Sequence, residues 1–378
     1  MASASGITKT IHDEMHAPKE ICVLGAGAFG TAMAWCAARN GHRVRWFARD
    51  AVQVKQINET HRNPKYLSEF ELPDNIVATT DAAEALRGCD LVILALPAQK
   101  TPDWIREHRD AIPADVVFCS TAKGLYLPGK QLLSEAMLAA FARPQRLAFL
   151  SGPSFARQIL EGHPTAVVVA SALLADAVTV QFALSGLRFR VYASQDTVGV
   201  ELGGALKNPL ALGAGMIEGR GYGINTMAAY VTRAARELSI LSIAHGGKPE
   251  TIAGLAGVGD LMLTAFGELS RNRNCGKHQS PPLETGTRRR ATDVARRRTK
   301  TLAGLRLARG EKLEDILGTA TVEGVPTAQV AVEFAARCNL DLPLFTIIHG
   351  ILSNEIEVDE ALELIMKRPL GTEIPINP

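Results

Sequence analysis

From Glu20 to Tyr192 short β-branched runs alternate with stretches of helical length, and this alternation limits the fold more than any other feature of the chain. The runs are ICVLG (21–25), HRVRWF (42–47), NIVAT (75–79), CDLVILAL (89–96), DVVFCS (115–120), RLAFLS (146–151), TAVVVA (165–170) and LRFRVY (187–192). Ala- and Leu-rich segments of helical length lie between them at 31–40, 81–87, 130–142 and 172–184. Such a pattern predicts an α/β doubly wound domain, a parallel sheet covered by helices on both faces. In that architecture ligands bind at the carboxyl ends of the strands. After about Tyr192 the β-runs stop and helical periodicity takes over, which predicts a second, all-α domain.

The first strand runs into Gly25-Ala26-Gly27-Ala28-Phe29-Gly30 and then a helix, with a turn at Asn40-Gly41 before the second strand. Gly25 suits the tight turn, Gly27 lets backbone approach a pyrophosphate, and Gly30 allows close helix–strand contact, so the segment predicts dinucleotide binding. The second strand ends Phe47-Ala48-Arg49-Asp50. Arg49 is placed to meet a ribose 2′-phosphate, whereas Asp50 comes one or two residues later than the usual 2′-hydroxyl acceptor, so NADPH is favoured over NADH; a solvated surface arginine is the alternative. Ser120-Thr121-Ala122-Lys123-Gly124 and Ser151-Gly152-Pro153-Ser154-Phe155-Ala156 follow the fifth and sixth runs. Lys123 is then a ligand contact or a solvated loop charge, and Ser154 a helix cap or a substrate contact.

In the second half, Lys207 sits in the apolar, glycine-rich segment Glu201–Pro209. It either snorkels to the surface or faces a cleft, where burial and a neighbouring cation such as Lys123 bring it into the range of general acid/base work. Gly254–Thr264 surrounds Asp260 with glycines, and Ser270-Arg271-Asn272-Arg273 supplies hydroxyl, guanidinium and amide donors suited to a phosphate; a structural loop with a helix cap is the competing account.

Composition narrows the class. A chain of 378 residues makes two to three domains at the usual ~100–200 residues each. Charged residues are 21% and the formal net charge is +2, which does not suggest a nucleic-acid binder. No apolar run approaches the ~18–20 residues of a membrane span, and the clean stretch Leu91 to Leu96 is strand-sized. Six cysteines without a C-x-x-C pair, several in apolar segments, read as reduced thiols in a cytoplasmic protein. The nine histidines show no H-E-x-x-H or similar cluster, so no metal is expected. Residues 1–19 are polar, contain Asp13 and Glu14, and lack the apolar stretch of a secretory signal; they read as a disordered extension.

The segments GAGAFGTAMA, STAKG, SGPSFA, ELGGALKNPLALGAG, GLAGVGDLMLT and SRNR, in that order, resemble the NAD(P)-dependent glycerol-3-phosphate dehydrogenases in their bacterial form, over about residues 20 to 368. The resemblance implies a Rossmann domain at 20–194, a helical domain of the 6-phosphogluconate-dehydrogenase C-terminal kind at 195–368, and a tail at 369–378. It implies reduction of dihydroxyacetone phosphate to sn-glycerol 3-phosphate with NADP or NAD, supplying glycerophospholipid synthesis, and a possible homodimer. Carried over residue by residue, it makes Lys207 the acid/base group. Lys123, Gly152, Ser154, Asp260, Ser270, Arg271 and Asn272 become substrate contacts, with Asp260 orienting or balancing Lys207. Ala28, Phe29, Arg49, Lys123, Ala156, Arg271, Thr321 and Glu323 become cofactor contacts. Two alternatives are a β-hydroxyacid dehydrogenase of the same architecture and a nucleotide-sensing protein without turnover.

The chain departs from the family pattern at several points. Ala28 and Phe29 stand where Ser and Trp or Tyr are frequent, Tyr66-Leu67-Ser68-Glu69 lacks a Pro-Gly, and Thr321 replaces an aliphatic residue. Residues 277–300 are an insertion of roughly twenty residues, polar and basic. Eight Lys or Arg against two acids give it +6, so the rest of the chain carries −4. It reads as a disordered surface loop, with a basic patch attracting anionic ligands, an acidic partner or a lipid surface as the alternative.

Overall fold

The computed structural model describes residues 17–267, 303–308, 310–317 and 322–369. Eight strands form one sheet: β1 (Glu20–Leu24), β2 (Arg43–Phe47), β3 (Ile76–Thr79), β4 (Leu91–Leu94), β5 (Val117–Ser120), β6 (Arg146–Ser151), β7 (Thr165–Ala170) and β8 (Phe189–Ser194). Their order is β3-β2-β1-β4-β5-β6-β7-β8. The helices among them are α1 (Ala28–Arg39), α2 (Ala51–Thr60), α3 (Ala82–Leu86), α4 (Thr101–His108), α5 (Leu133–Phe141), α6 (Ala156–Leu160) and α7 (Leu174–Leu184).

Alternate strand residues enter two separate cores. Ile21, Val23, Val44, Trp46, Leu91 and Ile93 pack with α1 and α7, while Cys22, Leu24, Phe47, Val92, Leu94 and Phe118 pack with α3, α4 and α5. Burial on both faces is why the central strands β1 and β4 read as the unbroken apolar runs Ile21–Leu24 and Leu91–Leu94. The chain turns to opposite sides at β1 and β4, so the crevice beyond their carboxyl ends is the fold's ligand position.

The sheet is mostly parallel, with one reversal: β7 runs antiparallel to β6, and β8 parallel to β7. Strands β1 to β6 are parallel, as the run pattern predicts, and β7 and β8 depart from it. The β6–β7 connection, residues 152–164, carries the five-residue α6 and delivers β7 antiparallel to β6. The β7–β8 connection carries the eleven-residue α7 and keeps β8 parallel to β7.

The remaining helices are α8 (Thr197–Gly219), α9 (Ile224–Ala244), α10 (Pro249–Ala253), α11 (Asp260–Phe266), α12 (Ala303–Ala308), α13 (Leu313–Leu317), α14 (Gly324–Arg337), α15 (Pro343–Leu352) and α16 (Val358–Met366). The chain falls into two compact units. One takes the chain up to Ala205 and Leu238–Leu263; the other takes Leu206–Glu237 and the chain from Thr264. A single cut near residue 195 is the sequence-based reading, because periodicity reports a helix without reporting the body it packs on. In the first unit Asp196 ties the start of α8 to the start of α10, accepting from Gly199 N at 2.9 Å and Lys248 N at 2.8 Å. Val200 and Ala256 complete the second core.

In the second unit Tyr230 Oη donates to Leu210 O at 2.6 Å, and Gly213 leaves room for that ring, since a Cβ there would lie 2.1 Å from the hydroxyl. The Glu237 carboxylate caps α15, accepting from Leu344 N at 3.0 Å and Phe345 N at 3.3 Å. Among the described residues no helix is long and apolar enough to cross a membrane.

Candidate active site

The Gly25–Gly30 turn joins β1 to α1 at the carboxyl edge of the sheet. Gly25 has φ +104°, and a Cβ on it would lie 2.6 Å from the Ala95 carbonyl oxygen. A Cβ on Gly30 would lie 2.0 Å from Gly25 O, so this glycine is demanded by close helix–strand approach. Gly27 differs: its φ is −79°, open to any residue, and a Cβ there would meet nothing within 4 Å. The protein itself does not require a glycine at 27. The open space fits a group bound from outside, and the amides at the start of α1 suit a pyrophosphate.

Ala28 and Phe29 begin α1, both half-buried, and Phe29 packs on the first core. Arg49 is exposed just past β2. Asp50 is occupied otherwise. One carboxylate oxygen caps α2, accepting from Val52 N at 2.9 Å and Gln53 N at 3.2 Å, and the other pairs with Lys65. The Lys65 ammonium holds the Asp50 carboxyl below the usual range.

A second cluster lies at the ends of β5 and β6. Lys123 Nζ donates to Gly152 O at 2.7 Å and Ser154 Oγ at 3.3 Å, and lies 2.8 Å from Asp260 Oδ2. The Lys123 side chain is 18% exposed and that of Asp260 is fully buried. Gly152 has φ +129°, and a Cβ there would press on the Val167 backbone at 3.0 Å. Ser154 Oγ donates to Gly152 O at 2.9 Å and makes no cap to α6, so the cap reading of this serine is set aside. Its hydroxyl belongs to the lysine cluster. The structure pairs Asp260 with Lys123, an ion pair that the sequence reading did not make. A buried carboxylate beside an ammonium is electrostatically coherent, because an unpaired ion there would be costly.

The first turns of α8 reach this cluster without side chains in the way. A Cβ on Gly204 would lie 2.6 Å from Ser151 Oγ and 3.5 Å from Lys123 Cγ, and one on Gly203 would lie 2.6 Å from Ala256 O. Asp260 opens α11 directly after the π-helical turn Leu255–Gly259. Sequence reasoning missed Ser151. Its hydroxyl is buried and makes no hydrogen bond among the described residues, and it was legible only as the polar last residue of an apolar strand.

Lys207 lies in the second unit and is 6% exposed, so it does not snorkel to the surface. Its Nζ donates to Thr264 Oγ1 at 2.9 Å. Thr264 was a second residue missed, although it ends the quoted GLAGVGDLMLT segment. Glu323 is exposed at the start of α14, and its carbonyl oxygen accepts from Thr327 Oγ1 at 2.7 Å. Ala156 opens α6 and packs against the first core. Ser270, Arg271, Asn272, Thr321 and the 277–300 insertion lie outside the described residues.

Comparison with known proteins converges. The family described as NAD-dependent glycerol-3-phosphate dehydrogenase N-terminus matches residues 20–177, and the corresponding C-terminus matches 196–289 and 290–363. The chain is 40% identical over 356 residues to a protein of Brucella canis named glycerol-3-phosphate dehydrogenase [NAD(P)+], covering 94% of this chain and 99% of the relative. A Rhodospirillum rubrum protein of the same name is 38% identical over 364 residues, covering 95% and 96%. Among solved structures, glycerol-3-phosphate dehydrogenase of Coxiella burnetii superposes with a TM-score of 0.79 at 30% identity, covering 93% of this chain and 99% of that one.

Proposed function

The chain belongs to the NAD-dependent glycerol-3-phosphate dehydrogenase family, and we propose that it reduces dihydroxyacetone phosphate at C2 to sn-glycerol 3-phosphate, reversibly, using NAD(P)H. The observation that carries this reading is Lys123, held by the Gly152 carbonyl, Ser154 and the buried Asp260 at the sheet's ligand edge. A bound nicotinamide cofactor supplies the hydride. As the hydride adds to C2, negative charge grows on the carbonyl oxygen, and a cation placed beforehand stabilises that charge without reorganising. Lys207 donates the proton to that oxygen in reduction and takes it back in oxidation. Lys123 is the second cation and orients the substrate with Ser154, while Asp260 keeps its ammonium in place. Arg271 and Asn272 bind the phosphate, a role for which a guanidinium fork is suited. Gly25–Gly30, Ala28, Phe29, Arg49, Ala156, Thr321 and Glu323 form the cofactor side.

The space beside Gly27 supports a cofactor pyrophosphate at the start of α1. Commitment of Asp50 to its α2 cap and to Lys65 leaves Arg49 to face the ribose, which supports NADPH over NADH. The ratio of kcat/KM for the two cofactors tests this, and a strong NADH preference would sink it. The buried free thiols of Cys22, Cys36, Cys89 and Cys119 support a cytoplasmic location. The product feeds glycerophospholipid synthesis, and a homodimer is the assembly the resemblance implies, checked by sedimentation. The central experiment follows NADPH oxidation with dihydroxyacetone phosphate beside β-ketoacids. Turnover with the phosphate alone is expected, and turnover with the acids alone, or none at all, would overturn the assignment.

A further inference from the structure

Behind the Gly25–Gly30 turn lies a closed network of buried amides that none of the roles above uses. Gln53, on the first turns of α2, and Asn63, just after that helix, are both buried, as is Thr31 on α1. Gln53 Nε2 donates to Ala26 O at 2.9 Å and to Asn63 Oδ1 at 2.8 Å. Asn63 Nδ2 donates to the same Ala26 O at 3.1 Å and to Thr31 Oγ1 at 2.8 Å. Thr31 Oγ1 passes its proton on to Gly27 O at 2.9 Å, and Asn63 Oδ1 also accepts from Lys65 N at 3.2 Å. Both hydrogens of each amide group are thereby used, and both flank one carbonyl of the turn.

We propose that Gln53 and Asn63 are positioning residues for cofactor binding: they hold the Ala26 carbonyl inward and so aim the Gly27 N–H at the cofactor pyrophosphate. The geometry of the peptide unit makes the link. Ala26 C=O and Gly27 N–H share one trans peptide plane and point to opposite sides of it. Two amides drawing the oxygen towards α2 therefore turn the N–H outward, on the residue whose Cα faces empty space. Thr31 adds a second restraint on the next carbonyl, so two successive peptide planes are set before ligand arrives. A turn ordered in advance loses less freedom on binding. Within a buried network every donor and acceptor is also costly to leave unmatched, which keeps the turn from rotating.

This inference rests on the placement of the pyrophosphate at Gly25–Gly30 proposed above, and the test separates the two. Three variants are titrated with NADPH and with ADP-ribose, which carries the pyrophosphate without the nicotinamide: Gln53→Met, Asn63→Leu and Gly27→Val. Each of the first two is expected to raise both dissociation constants about 10-fold, the scale of one buried hydrogen bond. At saturating NADPH, kcat and the KM for dihydroxyacetone phosphate stay within about twofold, a split that general loosening of the fold would not produce. Gln53→Met keeps the side-chain volume and carries the test should Asn63→Leu fail to fold. Unchanged affinities in folded Gln53→Met, or a fall in kcat with affinity intact, would overturn the clamp. If Gly27→Val weakens binding while the amide variants do not, the clamp alone is wrong. If Gly27→Val also binds normally, the pyrophosphate placement is wrong.

Discussion

Two lysines are tied down in different ways, and each has its own experiment. Lys207 is buried and its ammonium rests on the Thr264 hydroxyl. Lys207→Ala is expected to remove turnover by about 10²–10⁴-fold while the NADPH dissociation constant survives, and substantial remaining kcat would take Lys207 out of the chemistry. Thr264→Val keeps the shape and deletes the acceptor, so kcat should fall about 10-fold with cofactor affinity unchanged, measured under saturating NADPH. Lys123 is held by a carboxylate, a hydroxyl and a carbonyl together. So held, Lys123 is not a freely solvated loop charge. Neither lysine's partner could be read locally, because Asp260 and Thr264 are distant in sequence and only folding brings them near.

At the scale of elements, helices meet the sheet and each other through small residues and buried carboxyls. Gly203 lies against the Ala256 carbonyl, a backbone atom that cannot rotate aside. Gly203→Ala should therefore cost about 1–3 kcal/mol, read as a lower urea midpoint. Glu201, on α8, accepts from Ser134 N at 2.9 Å at the start of α5, and burial pushes its carboxyl up to about 7. Burial also pushes Glu237, the cap of α15, up to about 7. Both sit above the 4.5 of a free glutamate, so between these values the folded protein keeps protons that the unfolded chain has released. Stability conferred by these two groups is therefore full at low pH and declines as pH rises from about 4.5 through about 7. Glu201→Gln removes one of the two contributions. Its stability relative to the parent should rise between pH ~5 and ~7.5, and a parallel pH profile for the two proteins would refute the assignment.

For the whole molecule, the formal charge of +2 divides into +6 on residues 277–300 and −4 elsewhere. The isoelectric point of about 8.2 thus describes the insertion more than the rest of the chain. Deleting 277–300 is expected to move the isoelectric point into the acidic range on a focusing gel. The kcat/KM for dihydroxyacetone phosphate at about 0.15 M salt should then change less than about twofold, and a larger, salt-dependent loss would assign the basic segment to attraction of anionic ligands.

All eight strands and the dinucleotide turn were legible because each is written locally. Apolar runs such as Leu91–Leu94 mark strands buried on both faces, and Gly25 and Gly30 mark a turn that bulkier residues cannot make. The ordered motifs from GAGAFG to SRNR likewise sufficed to identify the family. Tertiary structure alone decided the reversal of β7, the grouping of Leu238–Leu263 with the sheet, the pairing of Lys123 with Asp260, and the Gln53–Asn63 hold on Ala26. Periodicity reports which face of an element is buried, and residue type reports what a side chain can donate or accept. Neither reports which distant group will occupy the other end of the bond, because that choice is made by packing across the whole chain.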